Sequence, residues 1–158
     1  MRICLVPLKT EPRAPAANLE HLKQRLTKIA HHQPDLVCVP ECTLTGYLYE
    51  EEDFRQFGES IPGPTTEKMG QLARMYGIHL CFGLIEVAES GVYNSAVLLE
   101  RQVYLDAVQV IGVTTLIVNS LETHTDLPSF GGAMIVNAKG ELLAESPHGT
   151  DDVLIWEF

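Results

Sequence analysis

The run Asp35-Leu-Val-Cys-Val-Pro-Glu41 sets the tightest constraint on what this chain can fold into. Leu36, Val37, Cys38 and Val39 are consecutive apolar, β-favouring residues, and their number suits a short buried strand. Pro40 has no N–H to give to a sheet ladder, so regular pairing should stop there. Glu41 then stands at the C-terminal mouth of a buried strand, where open α/β sheets bind ligands. A carboxylate at such a mouth serves as a general base when its surroundings bring its pKa towards neutrality. Taken alone, the strand favours the plainer reading of Glu41 as a solvated loop glutamate, since surface carboxylates are common.

A strand of this kind needs enough chain around it to be covered on both faces. A length of 158 residues allows one domain with a sizeable core, and 46% apolar against 20% charged residues is a globular composition. Eleven basic residues against 21 acidic ones leave a net charge of −10, which sets the chain against nucleic acid and anionic membranes as partners. No apolar run approaches a membrane span. The apolar segment at the N-terminus is too short for a signal peptide and lacks a small-residue cleavage site, so a cytoplasmic location is expected.

The cysteines, Cys4, Cys38, Cys42 and Cys81, are expected as free thiols in that compartment. Three of them lie in strand-like apolar runs, where a thiol behaves as a small hydrophobe. Cys38 and Cys42 have a C-x3-C spacing, but no second ligand pair lies at a zinc-site interval beyond them. Neither a metal nor a cofactor is therefore expected.

The remaining periodicities give an order of elements. Ile3–Leu8 reads as a first strand, and a Pro-rich loop runs to Pro15. Leu19, Leu22, Leu26 and Ile29 recur at three- and four-residue intervals and predict a helix over 16–32 with one apolar stripe. Lys23, Arg25 and Lys28 fall off that stripe and should be solvated. His31 and His32 suit the C-terminal end of the helix dipole, and Pro34 stops the helix. Glu50-Glu-Glu-Asp53 reads as a solvated loop or helix start, without the spacing of a calcium loop.

Thr66–Tyr76 predicts a second helix, with Gly77 as its cap. Strands are expected over 78–86 and 93–99, joined by a turn at Ser90-Gly91. A third helical segment covers Arg101–Ile111, with Tyr104, Ala107, Val108 and Ile111 on one face. A strand over 113–118 ends at Asn119, and a polar loop occupies 122–129. Strands over 132–137 and 141–145 flank Ala138-Lys-Gly140, and a final strand covers 153–158. This alternation predicts a layered α/β sandwich in a single domain spanning 1–158.

Several of these pieces together resemble the nitrilase, or carbon–nitrogen hydrolase, superfamily. They are the first strand and helix, Val39-Pro-Glu41-Cys-Thr-Leu-Thr-Gly-Tyr47, Ile61-Pro-Gly-Pro-Thr65 and the second helix. Leu80-Cys-Phe-Gly-Leu-Ile-Glu86 with Tyr93-Asn-Ser-Ala-Val97 completes this part. The later part, with Asn119, Phe130-Gly-Gly-Ala-Met-Ile-Val136 and Gly140-Glu-Leu-Leu-Ala144, is similar to the family's last segment.

The resemblance implies a four-layer α-β-β-α sandwich and a thiol-dependent hydrolase of small amides or nitriles. In the family a cysteine thiolate attacks the carbonyl or nitrile carbon. A glutamate moves protons, and a lysine stabilises the anionic tetrahedral intermediate. The division makes physical sense: a thiol needs a base to activate it, and an oxyanion needs fixed positive charge. Glu41 matches the glutamate, the general base.

The family's lysine and cysteine segments have no match. Leu98-Leu-Glu100 runs directly into Arg101, as if a central block were deleted near 100/101. The expectation is a nitrilase-like, internally truncated fold that is inactive as written. The alternative is a non-catalytic binding or structural module of the same fold. Lys9, after the first strand, is the one lysine placed to substitute. Cys42 adjoins Glu41 but should point to the opposite face. Strand edges exposed by the truncation predict a homo-oligomer formed by strand exchange, or else a chain that folds poorly.

Overall fold

The computed structural model describes residues 1–99, 115–118, 132–136, 142–147 and 149–157. The anticipated buried strand is β2 (Leu36–Cys38), and it lies at the centre of a five-stranded sheet. On one side it pairs in parallel with β1 (Arg2–Leu5), and on the other with β3 (His79–Ala88). The long β4 (Gly91–Leu99) runs antiparallel to β3. The last strand, β8 (Leu154–Glu157), returns antiparallel beside β1. The order across the sheet is β4-β3-β2-β1-β8.

A second sheet, order β5-β6-β7, is antiparallel and consists of β5 (Thr115–Val118), β6 (Ala133–Val136) and β7 (Leu142–Glu145).

Alternation along the central strands explains how the layers stack, because successive side chains leave a strand on opposite faces. Cys4, Val37, Leu80, Phe82 and Ile155 point to one face and pack with Leu22, Leu26, Met69, Leu72 and Ala73. The latter come from the helices α1 (Pro15–Ile29) and α3 (Pro64–Tyr76). Ile3, Leu5, Cys38, Cys81, Leu154 and Trp156 point to the other face and pack with Leu116, Val118, Ala133 and Ile135 of the second sheet. Helices, sheet and sheet therefore stack in the anticipated order. The predicted helix over 101–111, the end of the strand at Asn119, the 122–129 loop and the 138–140 turn lie outside the described residues.

The helices start and stop where local chemistry requires. Pro15 is the first residue of α1, a position where its missing N–H costs nothing. The expected apolar stripe is buried at Leu22, Leu26 and Ile29. The α-helix ends earlier than the spacing predicts. Ala30–His32 form a 3-10 turn, and Gln33, with a φ of 51°, reverses the chain before Pro34. Helix α3 ends at Gly77, whose left-handed φ of 65° lets its N–H reach Arg74 O at 3.3 Å. The β3–β4 turn is tighter than expected: Ala88 pairs with Gly91 and only Glu89-Ser90 lie between.

Two residues expected in solvent are structural. Asp53, in the acidic run, lies in α2 (Glu51–Phe57) and is buried. The first-turn carboxylates of α2 lie at the positive end of its dipole. Asp53 in addition receives a two-point pair from Arg13, Nε to Oδ1 at 2.7 Å and Nη2 to Oδ2 at 2.5 Å. Arg25 of α1 is mostly buried, not solvated, because its guanidinium reaches Asp151 Oδ2 at 3.0 Å and so ties the helix to the chain ahead of β8. Periodicity identifies the apolar face of a helix but not a long-range carboxylate partner for a flanking cation.

Candidate functional site

The sheet ladder ends at β2 as Pro40 requires. Val39 N–H still donates to Cys81 O at 2.9 Å, and the chain then turns over residues 41–45. The turn is fastened to β3 from both directions: Gly83 N–H donates to Pro40 O at 3.4 Å, and Thr43 N–H to Gly83 O at 3.3 Å. Thr43, wholly buried, also donates its hydroxyl to Pro40 O.

This attachment needs a glycine. A Cβ on Gly83 would stand 2.7 Å from Glu41 Cα, closer than carbon atoms approach. Gly46 closes the turn with a φ of 66°, and a Cβ there would meet Pro12 Cα at 2.9 Å.

The far side of the turn is held by Asn18, a buried residue of α1. Its Nδ2 donates to Leu44 O at 2.7 Å and to Glu11 O at 2.8 Å, and its Oδ1 accepts from Glu11 N–H at 2.8 Å. Arg13 N–H donates to Thr45 O at 2.8 Å. The loop after β1 and the turn after β2 thus form one hydrogen-bonded unit.

On this support Glu41 reaches the rim of a cavity of about 560 Å³ between the two sheets. Its carboxylate is fixed from two sides. Tyr47 O–H donates to Oε2 at 2.9 Å, and Asn94 Nδ2 donates to Oε1 at 3.1 Å. Asn94 comes from β4, 53 residues further along the chain. Beside it Ser95 is held by Glu86, whose Oε2 accepts the serine hydroxyl at 2.6 Å.

The cavity wall is mainly apolar, with Leu36, Leu98, Leu116 and Val118, and the two thiols Cys38 and Cys81 also open into it. A largely apolar recess of this size with a few convergent polar groups suits a small, weakly polar ligand.

The other residues singled out by sequence fall elsewhere. Cys42 packs with Leu48 and Ile85 and is not among the cavity residues, so neighbouring Glu41 and Cys42 do diverge. Lys9 is exposed and does not line the cavity; its backbone oxygen contacts His21 Nδ1 at 2.8 Å. Among the described residues lining the cavity there is no lysine or arginine. Cys38 and Cys81, read from sequence as plain core, border the site because their strand positions alternate with the helix-facing residues Val37, Val39, Leu80 and Phe82. Tyr47 and Asn94 lie within the segments that resemble the family, but no spacing rule connects either to the Glu41 carboxylate.

Comparison with known proteins agrees with this architecture. The family profile described as carbon–nitrogen hydrolase matches residues 2–113. The omega-amidase NIT2 of Xenopus tropicalis is 32% identical over 95 residues, 60% of this chain and 33% of that protein. A hydrolase encoded in the pqqF 5′ region of Pseudomonas protegens is 28% identical over 103 residues, 65% of this chain and 35% of that protein. The chain therefore spans about a third of the length of the curated relatives it matches.

Among solved structures, XC1258 from Xanthomonas campestris, a CN-hydrolase superfamily protein, superposes with a TM-score of 0.76 at 14% identity, covering 99% of this chain and 89% of that one. Nit3 from Saccharomyces cerevisiae, a nitrilase superfamily member, gives a TM-score of 0.73 at 14% identity with the same coverage. At such identities the likeness is one of fold. The profile match extends from the first strand past β4, through the turn that carries Glu41, and on that ground this chain belongs to the carbon–nitrogen hydrolase family.

Proposed function

We propose that this chain is a catalytically incomplete carbon–nitrogen hydrolase domain that binds a small amide or nitrile beside Glu41. In this reading Glu41 is the family's general base, and the central block with the attacking cysteine and the lysine is absent near 100/101. The observation that carries the proposal is the grip on Glu41. Tyr47 and Asn94 each donate to one carboxylate oxygen, at 2.9 and 3.1 Å, on the rim of a cavity of about 560 Å³.

Two donors fix the direction of a carboxylate while leaving it lone pairs to accept a ligand N–H. The amide-hydrolysing relative supports the ligand class. The lack of a lysine or arginine among the described lining residues supports incompleteness, since those residues offer an oxyanion no fixed positive charge. The same domain is expected in the cytoplasm as a homo-oligomer.

A titration with propionamide followed by amide NMR tests the binding half of the proposal. Resonances of Glu41, Tyr47, Asn94 and Gly83 should shift in a saturable way, and the shifts should vanish in Asn94→Ala. Saturable shifts confined to other residues, or none at all, would sink it.

A further inference from the structure

Cys38 and Cys81 are register partners on adjacent parallel strands, so their side chains leave the sheet on the same face and in the same row. That face is the floor of the Glu41 cavity, and both residues line it. Neighbouring strands lie about 4.8 Å apart, within the roughly 4.4–6.8 Å between α-carbons that a disulfide spans. The two thiols differ in access. Cys38 is 6% exposed, whereas Cys81 is only half-buried and opens to the cavity.

They also differ in proton affinity. The neighbouring Cys38 thiol lowers the Cys81 pKa below the ordinary thiol value. The Cys81 thiol, together with burial, raises that of Cys38. The remaining two cysteines lack these features. Cys4 is wholly buried on the helix side, and its pKa is pushed up to about 11, first by burial. Cys42 is enclosed by Leu48 and Ile85.

We propose that Cys81 and Cys38 form a peroxide-responsive thiol pair on the cavity floor, with Cys81 the thiol that is oxidised and Cys38 the one that resolves it to a disulfide. The pairing of an accessible, more acidic thiol with an adjacent resolving thiol is the arrangement that favours reversible oxidation. In the first step the Cys81 thiolate attacks one oxygen of hydrogen peroxide. The O–O bond breaks, hydroxide leaves and takes a proton to become water, and Cys81 becomes a sulfenic acid. In the second step the Cys38 sulfur attacks the Cys81 sulfur. An S–S bond forms, the S–O bond breaks, and the departing hydroxyl leaves as water with the Cys38 proton. Two thiols are oxidised, and one peroxide is reduced to two waters. The product bridges β2 and β3 below Glu41. This inference is independent of whether the cavity binds an amide.

The test is hydrogen peroxide treatment of the full chain, followed by thiol counting and peptide mass analysis. Free thiols should fall from four to two. The mass should drop by about 2 Da, peptides containing Cys38 and Cys81 should be linked, and dithiothreitol should reverse all three changes. In Cys38→Ser the sulfenic acid at Cys81 should persist and be trapped by dimedone. In Cys81→Ser, or Cys81→Ala where serine disturbs the circular dichroism spectrum, Cys38 should stay reduced under the same exposure. The parent should modify Cys81 roughly tenfold faster than Cys4 or Cys42. Linkage between other cysteines or between chains, or oxidation of Cys4 or Cys42 at the rate of Cys81, would overturn the proposal. So would a folded Cys38→Ser variant without dimedone at Cys81.

Discussion

Glu41 gains its definition from three residues, one nearby and two distant in sequence. Gly83 lets the turn lie directly on β3, and Tyr47 and Asn94 aim the carboxylate. Another single residue gives the fold a measurable pH dependence. Cys4 is inaccessible in the helix-facing core, and burial lifts its thiol from 9.0 to about 11, opposed in part by the charge of Arg2. The folded state therefore holds this proton more tightly than the unfolded chain does. Its contribution is complete below pH 9 and is lost as pH rises through the folded value near 11. Two units correspond to at most about 2–3 kcal/mol. Urea midpoints measured from pH 8 to 11 should fall more steeply for the parent than for Cys4→Ala. Parallel curves would contradict the burial of this thiol.

At the scale of elements, β1 and β2 provide little of the site unless the loops after them are joined. Asn18 makes that junction. It bonds the loop before α1 and the turn after β2 through three hydrogen bonds, all from a buried position. Asn18→Ala should cost about 2–3 kcal/mol, because the Leu44 and Glu11 backbone groups lose their partners without regaining water. Chemical denaturation measures the loss, and a change below about 0.5 kcal/mol would refute the junction.

Much of this level was legible in advance. Leu22, Leu26 and Ile29 identify the inner face of α1, and Val39-Pro40 identify the end of β2. The partners of polar residues were not legible. Asn18 falls within the predicted helix with nothing to single it out, Asp53 reads as one charge in an acidic run, and Arg25 as a surface cation. Each is buried or half-buried because of a contact that only the tertiary arrangement creates. The same holds for β8, whose antiparallel return beside β1 no local pattern announces.

For the whole molecule, two observations bear on behaviour in solution. No helix among the described residues is long and apolar enough to cross a membrane. Val92, Tyr93, Leu142 and Leu143 are exposed on strands at the margins of the two sheets. Marginal strands with apolar side chains favour pairing with a second copy. Sedimentation velocity should therefore show a species heavier than one chain of 17.5 kDa, and a compact monomer at all concentrations would contradict this.

On the proposed reading, the Glu41 site lacks the family's attacking cysteine and its lysine, and amide hydrolysis should be absent. Ammonia release from small carboxamides, measured for the parent and for Glu41→Gln side by side, tests it most directly. Neither should release ammonia above the buffer blank. Turnover by the parent that disappears in Glu41→Gln would contradict it.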